Sequence, residues 1–180
     1  RKLESVDEIF NDYRSDSEIG KINNAAKGSF QVSDDLRAAF QISQNLAQLT
    51  DHHFDITIGP MRNLWKQAAK EKRYPSKEEI IQAKNKVGSE AYKLVGHALH
   101  TQRDNIHFDF GGMIKGWVID ELVKELAGTD VKAALFQVGG ETFCFGKSSR
   151  GVGHRLGIPN PLNPKEFYAV VTDPGTGLSA

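Results

Sequence analysis

The sequence predicts an α+β fold, a mixture of helices and antiparallel strands. Helical stripes of apolar residues and short hairpin-like runs interleave along the chain without the regular rhythm of βαβ units. With 180 residues, of which 39% are hydrophobic, the chain can bury a core in the size range of one domain. A charged fraction of 26% and ten phenylalanines argue against disorder. We therefore expect residues 1–180 to form a single domain.

Two helices are predicted in the first 49 residues. Residues 3–13 place apolar side chains at steps of three and four, and residues 33–49 repeat this pattern behind a capping serine and two aspartates. Residues 16–28 predict a break followed by an irregular connector. Residues 55–60, which end in Gly-Pro, predict a short extended piece and then a turn.

The middle of the chain predicts two further helices on either side of a hairpin. Residues 76–86 open with a capping-box pattern, Ser-Lys-Glu-Glu, behind a proline. Residues 92–110 alternate like strands and are interrupted by Arg103-Asp104-Asn105, which predicts a hairpin that turns there. Residues 112–126 give the clearest helical stripe, and Gly128 is expected to end that helix in a left-handed conformation.

The last third of the chain predicts four short strands, at residues 133–138, 142–145, 156–158 and 167–171. Cys144 lies in the second of these strands and is the only cysteine. A single cysteine can form neither an internal disulfide nor a thiolate metal site, so we expect a buried, inert thiol.

Charge and hydropathy exclude some partners. Lysine plus arginine and aspartate plus glutamate are equal at 23 each, which gives no support to nucleic acid as a partner. No apolar run approaches the roughly twenty residues of a membrane helix, and no signal peptide opens the sequence.

Residues 106–117 hold the densest functional pattern, Ile-His-Phe-Asp-Phe-Gly-Gly-Met-Ile-Lys-Gly-Trp. The pattern predicts a strand that ends near Asp109, a turn at Gly111 and Gly112, and a helix with Lys115 in its first turn. Backbone N–H groups at such a helix start, together with the lysine, suit the oxygens of a diphosphate. An ordinary tight turn with a surface lysine is the alternative that these residues alone leave open.

Five segments in the same order resemble one family, the FAD:protein FMN transferases, also called the ApbE or thiamine biosynthesis lipoprotein family. Residues 109–120 resemble its Asp-Phe-Gly-Gly-Ile-Ala-Lys-Gly-Tyr-Ala-Val-Asp signature, and residues 54–65 resemble Phe-Asp-x-Thr-x-Gly-Pro-Leu-x-x-Leu-Trp. Residues 13–23 resemble Tyr-x-x-Asp-Ser-Glu-Ile-x-x-x-Asn. Residues 137–141 and 154–161 resemble Asn-x-Gly-Gly-Asp and Trp-x-Val-Gly-Ile-x-x-Pro, so the resemblance spans essentially the whole chain.

The resemblance implies a T-fold-related ApbE-like architecture and a set of site residues. It implies that six residues contribute to the FAD site, namely Tyr13, His53, Phe54, Asp55, Asp109 and Lys115. It also implies that the main-chain carbonyl of Gly112 helps to hold Mg²⁺, an ion that prefers oxygen ligands. No catalytic residue is assigned.

The resemblance further implies a Mg²⁺-dependent enzyme that moves FMN from FAD to a Ser or Thr hydroxyl of an acceptor flavoprotein and releases AMP. The expected location is extracytoplasmic, periplasmic or membrane-anchored, and a lipid anchor before Arg1 would be the only membrane contact. The family's N-terminal strand and C-terminal part have no match, so we expect a partial domain that is inactive alone. An FAD-binding paralogue or fragment without transferase activity is the alternative.

The chain departs from the family pattern at a few positions. His52 and His53 stand where small residues are usual, and we expect them to face solvent or support neighbours rather than bind metal. Glu141 replaces an aspartate and is expected to place charge rather than to bind a ligand. Trp65 and Trp117 are expected in the core. Residues 170–180 allow two alignments, of which a strand is favoured over a degenerate Asp-Pro-x-Thr-Gly.

Overall fold

The α+β prediction is confirmed by a computed structural model, which describes residues 2–147, 151–173 and 178–179. Within these ranges the chain has six α-helices, one short 3-10 helix (Ser89–Ala91) and eight strands, and every strand pairing is antiparallel. Arg1–Ile114 and Lys115–Ala180 form two compact units. The expectation that residues 1–180 form a single domain stays a prediction. No described helix combines the length and the apolar character needed to cross a membrane.

The first unit contains most of the helices around one small sheet. Its elements in chain order are α1 (Lys2–Phe10), α2 (Glu18–Asn23), β1 (Ser29–Gln31), α3 (Asp34–Leu49), α4 (Gly59–Lys70), α5 (Lys77–Lys84), β2 (Tyr92–Val95) and β3 (Ala98–Thr101). The sheet has the order β1-β3-β2.

Local capping signals define three of these helices. Ser33 accepts a hydrogen bond from the backbone N–H of Leu36 at the start of α3, and Ser76 and Glu79 form the predicted capping box of α5. The expected break at residues 16–28 is partly wrong. Ser17 accepts a hydrogen bond from Gly20 N–H at 2.9 Å and so caps α2, which lies within that segment.

Helix α4 was not predicted, because its sequence carries no capping side chain. It begins at Gly59 with Pro60 in its first turn, where a missing N–H costs nothing. The expected extended piece at residues 55–60 is therefore wrong: residues 56–57 form a turn and the helix follows.

The predicted hairpin exists, but its turn lies elsewhere. Strands β2 and β3 pair across Gly96, which has a φ of 59° and so favours glycine, rather than across residues 103–105. Residues 106–110 form an extended segment that belongs to none of the three sheets. Phe108 and Phe110 of that segment pack edge-on against Phe40, at 5.1 and 5.2 Å between ring centroids, and form the aromatic core of the unit.

The second unit contains α6 (Ile114–Leu126) from its second residue onward. It also contains five strands, which are β4 (Ala134–Val138), β5 (Glu141–Phe145), β6 (Arg155–Asn160), β7 (Asn163–Thr172) and β8 (Leu178–Ser179). β5 lies between β4 and β8, while β6 and β7 form a separate hairpin. Cys144 is buried, as predicted, with its Sγ 3.9 Å from Asp173. Gly128 is not among the glycines with positive φ, so the predicted left-handed stop is wrong.

The tail is described only in part. Residues 174–177 and 180 lie outside the described residues, so the Asp-Pro-x-Thr-Gly alternative is not decided by the structure. The strand alternative agrees with β7, which runs to Thr172, and with Leu178–Ser179, which pair with β5.

Candidate functional site

The extended segment 106–110 places two polar side chains on the face opposite the aromatic core. Side chains alternate along extended backbone, and here Ile106, Phe108 and Phe110 are buried whereas His107 and Asp109 are only partly buried. The apolar residues therefore fix the direction of the two polar ones. His107 and Asp109 meet side chains from α4 and from the connection after α1.

Asp109 shapes the glycine turn that follows it. Its Oδ1 accepts a hydrogen bond from Gly111 N–H at 2.8 Å, and its own N–H donates to the carbonyl of Ile56 at 2.7 Å. Its Oδ2 accepts from Nη1 of Arg62, also at 2.7 Å. α6 begins at Ile114, two residues later than expected, so Gly111 and Gly112 belong to the turn.

Arg62, in the first turn of α4, is the centre of a largely buried cluster of charges. One terminal nitrogen pairs with Asp109, and the other donates to Oδ2 of Asp12 and lies 3.2 Å from Nε2 of His107. The side chain of Asp12 is 9% exposed, that of Asp109 12% and that of Arg62 20%. A guanidinium fork can serve two carboxylates at once because its donors are planar and fixed.

The cluster favours the ionised forms of Asp12 and Arg62. Burial opposes ionisation of Asp12, but its hydrogen bonds with Arg62 and His107 outweigh burial and keep the pKa of Asp12 below its ordinary value. Burial likewise opposes the charge of Arg62, yet the hydrogen bond to Asp12 and the charge of Asp109 raise the pKa of Arg62. Asp12 and Asp109 share the guanidinium of Arg62, so each carboxylate depends on Arg62 for its ion pair.

Tyr13 lies at the edge of this cluster, and the residue is 73% exposed. The Arg62 guanidinium carbon lies 5.3 Å from the ring centroid, and the Lys66 ammonium lies 4.4 Å from it and donates a hydrogen bond to the Tyr13 hydroxyl. Lys66 follows Arg62 by one helical turn, so a single face of α4 holds the tyrosine. An aromatic ring held in this way and still exposed can stack on a planar ligand.

Of the three consecutive predicted residues, Phe54 lies beside the glycine turn. Its Cε2 is 3.2 Å from the position that a Cβ on Gly112 would take, so Gly112 allows this close approach. Asp55 is used locally, because its Oδ1 accepts hydrogen bonds from the N–H and the hydroxyl of Thr57, both at 2.7 Å. His53 is exposed and its Nδ1 lies 2.8 Å from the carbonyl of Thr50.

Lys115 belongs to the second unit, where it forms an ion pair. Its Nζ is 2.5 Å from Oε1 of Glu141, and its Cδ lies 3.0 Å from the position of a Cβ on Gly139. The hydrogen bond from Lys115 lowers the pKa of Glu141. This pairing agrees with the expectation that Glu141 places charge.

The first unit thus brings together four of the predicted residues, Tyr13, Phe54, Asp109 and Gly112, near the glycine turn. A groove of about 300 Å³ runs beside them, lined by Val6, Asp7, Phe10, Asn11, Asp12, Tyr13, Gly111 and Ile114. Its mixture of aromatic rings, aliphatic side chains and a few polar side chains is typical of sites for planar organic ligands. His53 and Asp55 face local partners instead.

Sequence reasoning missed four residues of the site: Asp12, Arg62, Lys66 and His107. Arg62 and Lys66 are spaced by four, which on a helix places them on one face, but this signal required a prediction of α4. The expectation that Trp65 anchors the core is wrong, since its side chain is 46% exposed, whereas Trp117 is buried as predicted.

The described residues offer little to a metal ion. Among them, no three His, Cys, Asp or Glu side chains come close enough together to hold one. The carbonyl of Gly112 would be a single neutral oxygen, whereas Mg²⁺ requires near-octahedral oxygen coordination. These residues do not by themselves fit Mg²⁺.

Comparisons with known proteins agree with the fold and with the order of the motifs. A family model described as the ApbE family matches residues 1–178. A FAD:protein FMN transferase of Vibrio cholerae is 27% identical over 178 residues, which cover 97% of this chain and 53% of the relative. One from Escherichia coli K12 is 26% identical over 186 residues and covers 99% and 53%.

A solved structure gives the same picture. The apo form of the Pseudomonas stutzeri flavinyl transferase ApbE matches with a TM-score of 0.81 and 26% identity, over 95% of this chain and 54% of that one. The chain spans about half the length of the curated relatives it matches.

Proposed function

This chain belongs to the ApbE family. From that premise we propose that it is part of a flavin transferase, that it binds FAD, and that it contributes to the transfer of FMN to an acceptor flavoprotein. The observation that carries the proposal is the convergence of Tyr13, Phe54 and Asp109 around the turn at Gly111 and Gly112. Segments far apart in sequence supply these residues, and each belongs to a motif that resembles the family.

The proposed reaction is a phosphoryl transfer. The oxygen of an acceptor Ser or Thr hydroxyl forms a bond to the FMN phosphorus, the diphosphate bond of FAD breaks, AMP leaves, and the hydroxyl proton is lost. Positioning and electrostatics supply most of the rate in such reactions. In the proposal Tyr13 stacks on the flavin, the glycine turn approaches the diphosphate closely, and Lys115 adds a positive charge to it.

Mg²⁺ dependence is part of the proposal, with the Gly112 carbonyl as one ligand. When bound, the ion would neutralise charge on the diphosphate. The chain's own residues bind and orient FAD, and no catalytic base is assigned. We also propose an extracytoplasmic location with a lipid anchor, which rests on the family resemblance alone.

FAD binding in preference to riboflavin tests the proposal. Because the glycine turn and Lys115 address the diphosphate, we expect FAD to bind at least about tenfold more tightly than riboflavin, a difference of ~1.4 kcal/mol. Flavin fluorescence titration measures both affinities. Lys115→Met is expected to reduce the FAD affinity and leave that of riboflavin unchanged, whereas Lys124→Met, at an exposed lysine of the same helix, should change neither.

Equal affinities for FAD and riboflavin would contradict the proposal. A second experiment distinguishes a transferase from a protein that only binds FAD. FMN transfer to a Ser- or Thr-containing acceptor peptide is measured by mass spectrometry with and without Mg²⁺. A mass increase of one FMN with release of AMP supports the transferase. FAD binding without transfer, in a protein that includes the whole family length, supports the alternative of an FAD binder.

A further inference from the structure

The side chain of Arg62 links two of the residues that the proposed function assigns to FAD. It is the one group in the described contacts of the cluster that touches both Asp109, through a hydrogen bond, and Tyr13, through its position over the ring. We infer that Arg62 is a positioning residue, which sets Tyr13 and Asp109 in the geometry that receives the flavin nucleotide. This inference rests on the proposed function.

The position of Arg62 is fixed from its backbone outward. Its N–H donates to the carbonyl of Ile58 at 3.0 Å, in the first turn of α4. The start of that helix lies directly on His107, because a Cβ on Gly59 would be 2.2 Å from Cδ2 of His107 and 2.5 Å from its carbonyl oxygen. Helix α4 and the segment carrying Asp109 are therefore in direct backbone contact.

The side chain is then held at its far end by two carboxylates on different segments. Nη1 donates to Asp109 at 2.7 Å, and Nη2 donates to Asp12, the residue directly before Tyr13. His107 approaches both Asp12 and Arg62 through Nε2, at 3.1 and 3.2 Å. A guanidinium in such a fork has little freedom to move, and it passes this constraint to both of its partners.

Charge rules out an apolar residue in place of Arg62, and geometry rules out a lysine. Without Arg62, two carboxylates would remain largely buried with no guanidinium between them, and their negative charge would repel a diphosphate. A lysine keeps the charge but offers one compact ammonium, which cannot serve Asp12 and Asp109 with the same bidentate geometry. The role of Arg62 is thus one of shape as well as charge.

A double-mutant cycle with Tyr13 tests the inference. FAD affinity is measured for the wild type, Arg62→Lys, Tyr13→Ala and the double variant, with circular dichroism to verify folding. We expect Arg62→Lys to weaken FAD binding about tenfold, or ~1.4 kcal/mol. We expect Tyr13→Ala to cost much less in the Arg62→Lys background than in the wild type, because the ring is no longer held in place. Arg73→Lys, in an exposed ion pair with Glu79, is the matched control and should leave FAD affinity unchanged.

A second measurement needs no ligand. In Arg62→Met, NMR titration should show a higher Asp12 pKa than in the wild type, because burial then opposes ionisation without the guanidinium. An unchanged Asp12 pKa would contradict the inference. If this variant does not fold, Arg62→Lys carries the test alone.

The outcomes separate the two proposals. Wild-type protein that does not bind FAD overturns the proposed function and this inference with it. FAD binding by the wild type with an unchanged affinity in Arg62→Lys, or with losses that simply add in the double variant, overturns the inference alone. If Arg62 had a purely structural role, Arg62→Lys would lower stability. The FAD affinity of the folded protein, and the dependence of that affinity on Tyr13, would stay unchanged.

Discussion

Both carboxylate oxygens of Asp109 are engaged inside the protein. One accepts the N–H of Gly111 and fixes the glycine turn, and the other pairs with Arg62. Each oxygen has a second lone pair, so contact with a ligand is still open to it. The residue therefore joins three tasks, which are the shape of the turn, the balance of a buried charge cluster and the proposed contact with FAD.

We predict that Asp109→Asn weakens FAD binding about tenfold and destabilises the protein by about 1–3 kcal/mol. The amide retains an oxygen for Gly111, but it removes the charge that faces Arg62. Fluorescence titration and denaturant unfolding measure the two effects. The matched control is Asp104→Asn at an exposed aspartate, whose Oδ1 accepts the N–H of Lys27 at 2.7 Å; both quantities should stay unchanged there. Unaltered FAD affinity in Asp109→Asn would assign Asp109 a structural role only.

At the scale of elements, α4 organises the site. Its first turn brings Arg62 to Asp12 and Asp109, and its next turn brings Lys66 to Tyr13. The helix can reach these partners because Gly59, at its N-terminus, has no side chain to separate it from His107. Gly59 does not have a positive φ, so its backbone conformation does not require glycine. The close approach to His107 is the reason that glycine is needed there.

We predict that Gly59→Ala destabilises the protein by about 2–4 kcal/mol, because a methyl group there would force the helix away from His107. Arg62 would move with the helix, so FAD affinity should fall as well. Gly28→Ala, in the same unit, is the control: the atoms nearest to its Cβ would be at ordinary contact distances, 3.7 Å or more. Denaturant unfolding of both variants gives the comparison. Equal stability of the two would show that α4 can shift at no cost.

At the scale of the whole molecule, acidic groups determine the response to low pH. Arginine partners lower the pKa of several carboxyl groups, among them Asp12, Asp16 and Glu79. The pKa of Glu79 is lowered to about 2. Asp16 and Glu79 are solvent-exposed, where screening leaves such pairs small contributions to stability. Asp12 is the largely buried member, so it should dominate.

We predict that stability is constant above about pH 5 and falls as the pH drops below the ordinary aspartate value, about 3.9. A carboxyl whose folded-state pKa is lowered stabilises the fold only while it is ionised, and protonation through the folded-state pKa removes that contribution. Asp12→Asn should lower stability at pH 7 and flatten the acid dependence, whereas Asp16→Asn should leave the dependence unchanged. Urea unfolding between pH 7 and pH 3 measures the slopes; equal slopes for the wild type and Asp12→Asn would contradict this assignment.

Local signals in the sequence determined most of the helices and strands of this protein. Capping serines, helical periodicity and alternating apolar residues depend on neighbours within a few positions, and they correctly predicted α3, α5, α6 and the strands from 134 to 172. The motif order also led to the family, and it pointed to Tyr13 and Asp109.

Tertiary structure alone decided how the site is held together. Asp12 lies 50 residues from Arg62 and 95 residues from His107, yet all three meet at hydrogen-bonding distance. No local pattern encodes such a pairing. It depends on which face of α4 lies against the segment carrying Asp109, and packing around the aromatic core decides that orientation. The helix that supplies Arg62 has no side-chain cap, and its first residue, Gly59, packs directly against His107. The sequence determined the parts of the site, and packing decided their partners, since long-range contacts form only when the core fixes the elements in place.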